Sequence, residues 1–529
     1  MNHFNIALTM FAFLLPTFSV FSQTNPQIDV KDLRWQHLDL KRDGVYGISM
    51  DRAYQSLPQG ITPEPIIVAV IDSGFDTLNE DLSPVIWRNT KELGGDEDKN
   101  GYVNDKYGWN FVGLKHGDLM SYDPGPEYRR VYLSLTKGCE HYFPAEYAHL
   151  DNNCNEWLAA RAQFKLDSVQ KFSANLSFWN EIAKEDSLWK MRLGKESYTV
   201  NDLHLDESEA RRYIMPSLLK VDSLRTNSEQ LALITEAKIR LFKKYSQHPL
   251  IFRAETIGDD YSDLTDKFYG DGNVRGTGYH GTHVASVVGA VRNNNVGIDG
   301  IANFVKIMMI RAVFGGADEY DKDIALAIRY AVDNGAKIIN MSFGKPYSPQ
   351  RNWVEDALKY AGKMDVLVIH AAGNDGVSTD SSIFYPSPTD LNGRLISNMI
   401  TVGASGPQRK DIIASFSNYG KASVDVFAPG VNIYCDADKA RDSNYDIVSG
   451  TSVAAPVVSG LAAVLRAYYP KLSATEVKRI IESTVTKVDG FVTRPGGTIQ
   501  VPMSSLCRTG GVVNAYRAIR MANKLYKRR

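Results

Sequence analysis

The feature that most constrains the fold is a run of six apolar residues, Ile66-Ile67-Val68-Ala69-Val70-Ile71, that ends at Asp72-Ser73-Gly74. A short apolar run closed by a turn signal reads as a strand buried on both faces. Similar runs recur at 305–313, 336–341, 365–371, 399–404 and 424–428. Helical patterns lie between several of them. Ile324, Ala327, Ile328, Ala331 and Val332 share one face, with Gly335 where a C-cap is expected. Ser473-Ala474-Thr475-Glu476 is a capping box for another helix. Strands alternating with helices predict an α/β fold, doubly wound around a mainly parallel sheet. In such sheets the functional site forms at the carboxyl ends of the strands.

From about 114 to 258 this pattern breaks. The stretch is polar and lacks strand-like runs. Leu158, Ala162, Leu166, Val169, Phe172, Leu176 and Trp179 step by three or four, as one helix face does, and Asn227 to Tyr245 offers another helix. The expected organisation is therefore a core in two parts, 61–113 and 259–525, with a large helical insertion at 114–258 and an N-terminal arm at 23–60.

The 529 residues are 43% apolar and 23% charged, as in an ordinary globular protein, and the formal net charge is -1. That balance argues against a nucleic-acid partner, which a basic excess would accompany. Ile6 to Phe21 is almost uninterrupted apolar sequence. Its length suits a signal-peptide core, and Val20 and Ser22 suit the −3 and −1 positions of a cleavage site, so 1–22 is expected to be removed. No other membrane-length run occurs, so no membrane span is expected in the mature chain. The expected location is secreted, periplasmic or cell-surface, as a monomer. Four cysteines, Cys139, Cys154, Cys435 and Cys507, allow three pairings in an exported protein. Proximity favours Cys139–Cys154, and four free thiols remain the alternative.

Three segments carry chemistry. Asp72 follows a buried strand. His280 opens His280-Gly281-Thr282-His283-Val284-Ala285, and Ser452 sits in Gly450-Thr451-Ser452-Val453-Ala454-Ala455-Pro456. A serine hydroxyl is a poor nucleophile until an imidazole takes its proton. The imidazole needs a carboxylate to fix its tautomer and stabilise its charged form. Ser452 and His280 both precede apolar helical stretches, so both should lie at helix N-termini, where partial positive charge favours developing negative charge. The order Asp, His, Ser excludes an α/β-hydrolase, which runs Ser, Asp, His and needs Gly-x-Ser-x-Gly; Ala454 stands at the second glycine's place.

These three blocks, in this order, resemble the subtilisin (subtilase) family over roughly 60–112 and 266–520. The resemblance implies a seven-stranded, mainly parallel sheet and serine endopeptidase activity on polypeptide substrates. Asp72, His280 and Ser452 match the family's triad. Asn374, in Ala371-Ala372-Gly373-Asn374-Asp375, matches its oxyanion asparagine. Asn340-Met341-Ser342-Phe343-Gly344 matches the segment that pairs with substrate backbone. Ser342, Phe343 and Gly344 would then line the P1 pocket with Ala371, Ala372 and Gly373.

The same resemblance implies structural calcium, with Asp81 as carboxylate ligand and a loop at 291–298 supplying Asn294 and the carbonyls of Val291, Val296 and Ile298. Hard calcium prefers such oxygen ligands. Separately, Asp96-Glu97-Asp98-Lys99-Asn100-Gly101 has the opening spacing of an EF-hand loop, but the closing position is Tyr107 rather than Glu. One departure from the family is the distance from Asp72 to His280, 208 residues, which the insertion explains.

Overall fold

The computed structural model describes residues 33–114, 125–139, 152–205, 249–276, 280–315, 317–437 and 445–526, with shorter stretches between 213 and 232. The expected signal peptide lies outside the described residues. So does the part of the expected 227–245 helix beyond residue 232. The described chain forms two compact units, one of Ile28–Glu127 with Phe252–Arg529, the other holding Tyr128–Ile251.

The strands of the first unit are β1 (Ile66–Asp72), β2 (Val305–Arg311), β3 (Ile338–Met341), β4 (Leu367–Ala371), β5 (Met399–Ser405), β6 (Val426–Pro429), β7 (Ile433–Asp436), β8 (Tyr445–Val448), β9 (Thr486–Lys487), β10 (Phe491–Thr493), β11 (Gln500–Pro502) and β12 (Gly511–Val512). The main sheet runs β2-β1-β3-β4-β5-β6-β12-β9. Seven of these strands are parallel, as the family resemblance implies. The eighth, β9, pairs antiparallel with β12 and corrects the count. It covers only Thr486–Lys487 and carries no apolar run, so no periodicity announces it. The pairs β7–β8 and β10–β11 form separate ribbons.

The apolar runs became strands because both faces are covered. Val68, Val70, Ile307, Met309, Ile369 and Val402 belong to one continuous buried cluster. That cluster also takes in residues of α4 (His280–Gly289), α7 (Thr451–Tyr468), α8 (Ala474–Ser483) and α9 (Ala515–Tyr526). Alternate strand residues face the other way, where α5 (Asp321–Asp333) and α6 (Arg351–Lys363) contact β1, β2 and β4. Helix α7 is the one described helix apolar and long enough to cross a membrane, and it is buried in the core.

The second unit contains most of α1 (Glu127–Cys139) and the long α2 (Asn152–Leu193). Cys139 and Cys154 are joined by a disulfide, while Cys435 and Cys507 are free and buried. Ile182, Trp189, Tyr198, Leu203, Met215 and Leu219 form its apolar centre. The unit runs from Tyr128 to Ile251, inside the span 114–258 read from sequence.

Two buried ionic clusters of the first unit lie on either side of the excursion. Lys345 Nζ lies 2.6 Å from Glu127 Oε2 and 2.8 Å from Asp321 Oδ1. Arg253 (in α3, Pro249–Thr256) lies 2.7 Å from Asp323 and 2.8 Å from Asp259, and Lys322 reaches Asp259 at 2.8 Å. All of these side chains are at most 2% exposed. Residues 321–323 open α5, so both ends of the excursion close on the first turn of one helix.

Candidate active site

Asp72 ends β1 at the carboxyl edge of the sheet, where the fold predicts a site. Its carboxylate accepts from Ser73 N at 2.7 Å and Ser73 Oγ at 3.2 Å. His280 is the first residue of α4, and its Nδ1 lies 2.9 and 3.0 Å from the two Asp72 oxygens. An acceptor at that place favours the tautomer with the proton on Nδ1 and leaves Nε2 as the acceptor. Burial pushes the His280 pKa down, but the charge of Asp72 and its hydrogen bond push harder, and the value lies above the ordinary 6.5. The imidazole keeps 38% of its side-chain surface accessible.

Ser452 is the second residue of α7, and α4 and α7 pack on one another. Gly450 precedes α7 as its N-cap. A Cβ built on Gly450 would meet Ser452 Oγ at 2.9 Å and Asn374 Nδ2 at 3.6 Å, so hydroxyl and amide border the same small space. The Asn374 oxygen accepts from Thr451 N at 2.9 Å and Thr451 Oγ1 at 3.0 Å. Both bonds go to the oxygen, so Nδ2 is the end left to donate toward that space. Thr451 Oγ1 also accepts from Gly373 N at 3.1 Å, which ties the β4 exit to the start of α7.

A second tie comes from the other side. Pro456 lies inside α7 and has no N–H, so the Ser452 carbonyl lacks its helical partner. Ser342 Oγ donates to that carbonyl at 2.7 Å. Asn340 Nδ2 donates to Ser342 Oγ at 2.9 Å, and Ser459 Oγ donates to Asn340 Oδ1 at 2.8 Å. The Ser342 hydroxyl is thus turned to α7. Phe343 and Gly344 remain partly exposed, while Ala371, Ala372 and Gly373 are buried at the end of β4.

At the expected calcium loop the backbone grips Asp81 through N–H groups. Val291 N donates to Asp81 O at 3.1 Å, and Ile298 N to Asp81 Oδ2 at 2.9 Å. Asn294 does not turn its amide oxygen to the site as expected. Its Nδ2 lies 2.6 Å from Asp81 Oδ1 and its Oδ1 accepts from Val296 N at 3.0 Å. The backbone can satisfy the amide oxygen locally, and sequence carries no sign of that preference.

What sequence missed is Asp436, at the end of β7. It is fully buried, and neither carboxylate oxygen has a hydrogen-bond partner among the described residues. A Cβ on Gly297 would fall 2.2 Å from Asp81 Oδ2 and 2.8 Å from Asp436 Oδ1, so the two carboxylates converge beside a residue without a side chain. Burial, then the charges of Asp81 and Glu80, push the Asp436 pKa up to about 8. Two buried carboxylates facing one another fit a hard divalent cation. The detectable signal was an acid closing an apolar strand, as at Asp72.

Of the EF-hand-like stretch, Asp96 and Asp98 come together with Glu92. These acids also receive loop donors: Gly101 N to Asp96, Asn89 and Asn100 Nδ2 to Asp98, and Asn104 N to Glu92. That network accounts for the tight turn.

Comparison with known proteins follows the same lines. The model of the subtilase family matches residues 64–498. A thermophilic serine proteinase of Bacillus sp. (strain AK1) is 40% identical over 211 residues, which are 40% of this chain and 48% of that protein. The chain thus spans about half the length of that relative. Subtilisin DY of Bacillus licheniformis is 35% identical over 221 residues, 41% of this chain and 74% of its own length. Among solved structures, the prenylagaramide maturation protease PagA aligns with a TM-score of 0.38 and 28% identity, over 46% of this chain and 82% of that one. With a family match that spans most of the chain and takes in Asp72, His280, Asn374 and Ser452, the chain belongs to the subtilase family.

Proposed function

We propose that the protein is an exported serine endopeptidase in which Ser452 is the nucleophile, His280 the general base and Asp72 its orienting carboxylate. The observation that carries this reading is the pairing of Asp72 with His280 Nδ1, on the helix packed against the one that begins with Thr451 and Ser452.

In the proposed mechanism a polypeptide lies along Ser342–Gly344 as an added strand, held by backbone hydrogen bonds that need no particular sequence. Ser452 Oγ attacks the scissile carbonyl while His280 Nε2 accepts its proton. The new C–O bond forms as the carbonyl π pair moves onto oxygen. Asn374 Nδ2 and the Ser452 N–H donate to that oxyanion, and the α7 N-terminus adds favourable potential. Collapse breaks the C–N bond, and His280 returns the proton to the leaving amine. Water, deprotonated by the same imidazole, then attacks the acyl carbon, the ester C–O bond to Ser452 breaks, and His280 returns the proton to Ser452 Oγ.

Calcium is the proposed structural cation, with Asp81 and Asp436 as the residues that would hold it. When bound it would neutralise both carboxylates and hold β7 to the 291–298 loop.

The test is labelling with a fluorophosphonate. Labelling at Ser452, lost in Ser452→Ala along with peptide hydrolysis, is the expected result. A folded wild-type protein that neither labels nor cleaves would be a binding protein on a subtilase scaffold, and the proposal would fall.

A further inference from the structure

We infer that Phe384 occupies the P1 pocket and restricts it to small P1 side chains. The inference rests on the peptidase reading, since it concerns the same site.

The two expected pocket walls are Ser342–Gly344 and Ala371–Gly373. One edge of one ring touches both. A Cβ on Gly344 would lie 2.3 Å from Phe384 Cε1 and 2.7 Å from its Cζ. A Cβ on Gly373 would lie 3.0 Å from Cζ and 3.1 Å from Cε1. The phenyl ring therefore spans the gap between the walls, in van der Waals contact with the two positions that carry no side chain.

The ring is supported from several sides. It stacks on His370 of β4 at a centroid distance of 6.0 Å and an interplanar angle of 29°. His370 is buried, and its Nε2 lies 2.9 Å from the Phe343 carbonyl. Burial lowers the His370 pKa to about 4, so the ring is neutral near pH 7 and Nε2–H is the donor. His370 thereby fastens one wall to the other directly beside the phenyl. The backbone of Tyr385 is fixed by two bonds to Lys345, Lys345 N to Tyr385 O at 3.1 Å and Tyr385 N to Lys345 O at 2.8 Å. That pairing fixes the main chain from which the Phe384 side chain projects. Phe384 stays partly exposed, as a pocket floor facing a substrate should be.

The consequence is steric. Glycine, alanine or serine at P1 reaches no further than the rim. Phenylalanine, tyrosine or leucine must share the volume that Phe384 holds. Shape discrimination in an apolar pocket is on the order of 10–200-fold per misfit methylene. An aromatic P1 should therefore be disfavoured by roughly 10²-fold or more.

The experiment is a P1 series of otherwise identical peptide substrates on the wild-type chain and on Phe384→Gly. Fluorophosphonate labelling of the wild type is measured in parallel. The wild type should label and should cleave after Ala far better than after Phe. In Phe384→Gly the ratio of kcat/KM for Phe to that for Ala should rise by about 10²-fold. If Phe384→Gly does not fold, Phe384→Leu should move the ratio in the same direction by less, and the wild-type profile stands alone as a test. Efficient wild-type cleavage after Phe overturns the inference, and with labelling intact the peptidase reading survives. Absent labelling and absent cleavage overturn both.

Discussion

Ser342 Oγ reaches the carbonyl oxygen of Ser452 at 2.7 Å and replaces the helical N–H that Pro456 cannot supply. Removing the hydroxyl leaves that carbonyl desolvated and unpaired, which costs about 1–3 kcal/mol. Ser342→Ala should lower stability by that amount and lower kcat as the first turn of α7 loosens, whereas Ser342→Thr should restore much of both. Denaturant titration and steady-state kinetics on the two variants check this; equal behaviour of Ala and wild type would show the bond is idle.

Asn374→Ala should reduce kcat on the order of 10²–10³-fold with little change in KM, the range known for that donor in subtilisin. The double hold of Thr451 on its oxygen adds a second expectation. Thr451→Val removes the hydroxyl's bonds to the Asn374 oxygen and from Gly373 N but keeps the Thr451 N–H on that oxygen, so the amide is held less firmly and kcat should also fall, by a smaller factor. An unchanged kcat in Asn374→Ala would mean the amide closes a turn and nothing more.

Activity requires His280 without its second proton. Its pKa lies above 6.5 because Asp72 stabilises the charged ring, so kcat/KM should fall as pH drops through a value above 6.5. Asp72→Asn should move that limb to lower pH while reducing the rate. Stability has the opposite sense: the charged pair contributes fully below the ordinary value, and its contribution fades as pH rises through the raised one. A limb below pH 6 in the wild type would contradict the pairing.

Chelation should lower the melting temperature of the wild type, since a cation bound only to the native state stabilises it, by ~2.7 kcal/mol at a hundred times Kd. Asp436→Asn should show a smaller calcium-dependent shift. No shift in wild-type protein shown by elemental analysis to start metal-free would remove the cation.

Asp323→Ala should be costly. It leaves Arg253 buried with half of its partners, and breaking such a pair costs about 3–5 kcal/mol. Thermal melts compared with the exposed-pair variant Lys410→Ala, which should be near neutral, separate burial from mere loss of charge.

Much of this site was legible because its parts are local. An apolar run ending at Asp72, a helix starting at His280 and another at Thr451 each announce themselves within about ten residues. Asn374 came through the resemblance, and the structure supplied the orientation of its amide. The rest depends on contacts between distant segments. Phe384 shows no pattern, and its meaning arises only where it meets Gly344 and Gly373. Asp436 and Asp81 are far apart in sequence and meet only after β7 is placed. The direction of the Asn294 amide follows from a backbone turn at Val296. Strand β9 is too short to show a period.

The clusters around Lys345 and Arg253 also bear on chain entropy. They hold residues 127 and 253 on the opening turn of α5. For the rest of the peptidase unit, everything between those residues is then a closed loop whose ends are already fixed. The cost of closing a loop rises only with the logarithm of its length, roughly 0.6 kcal/mol per doubling. The length and content of the excursion can therefore change at small cost to folding, as long as the charges at its two ends remain. Grafting an unrelated domain between Glu127 and Arg253 should be tolerated more readily than a single neutral substitution at Asp323.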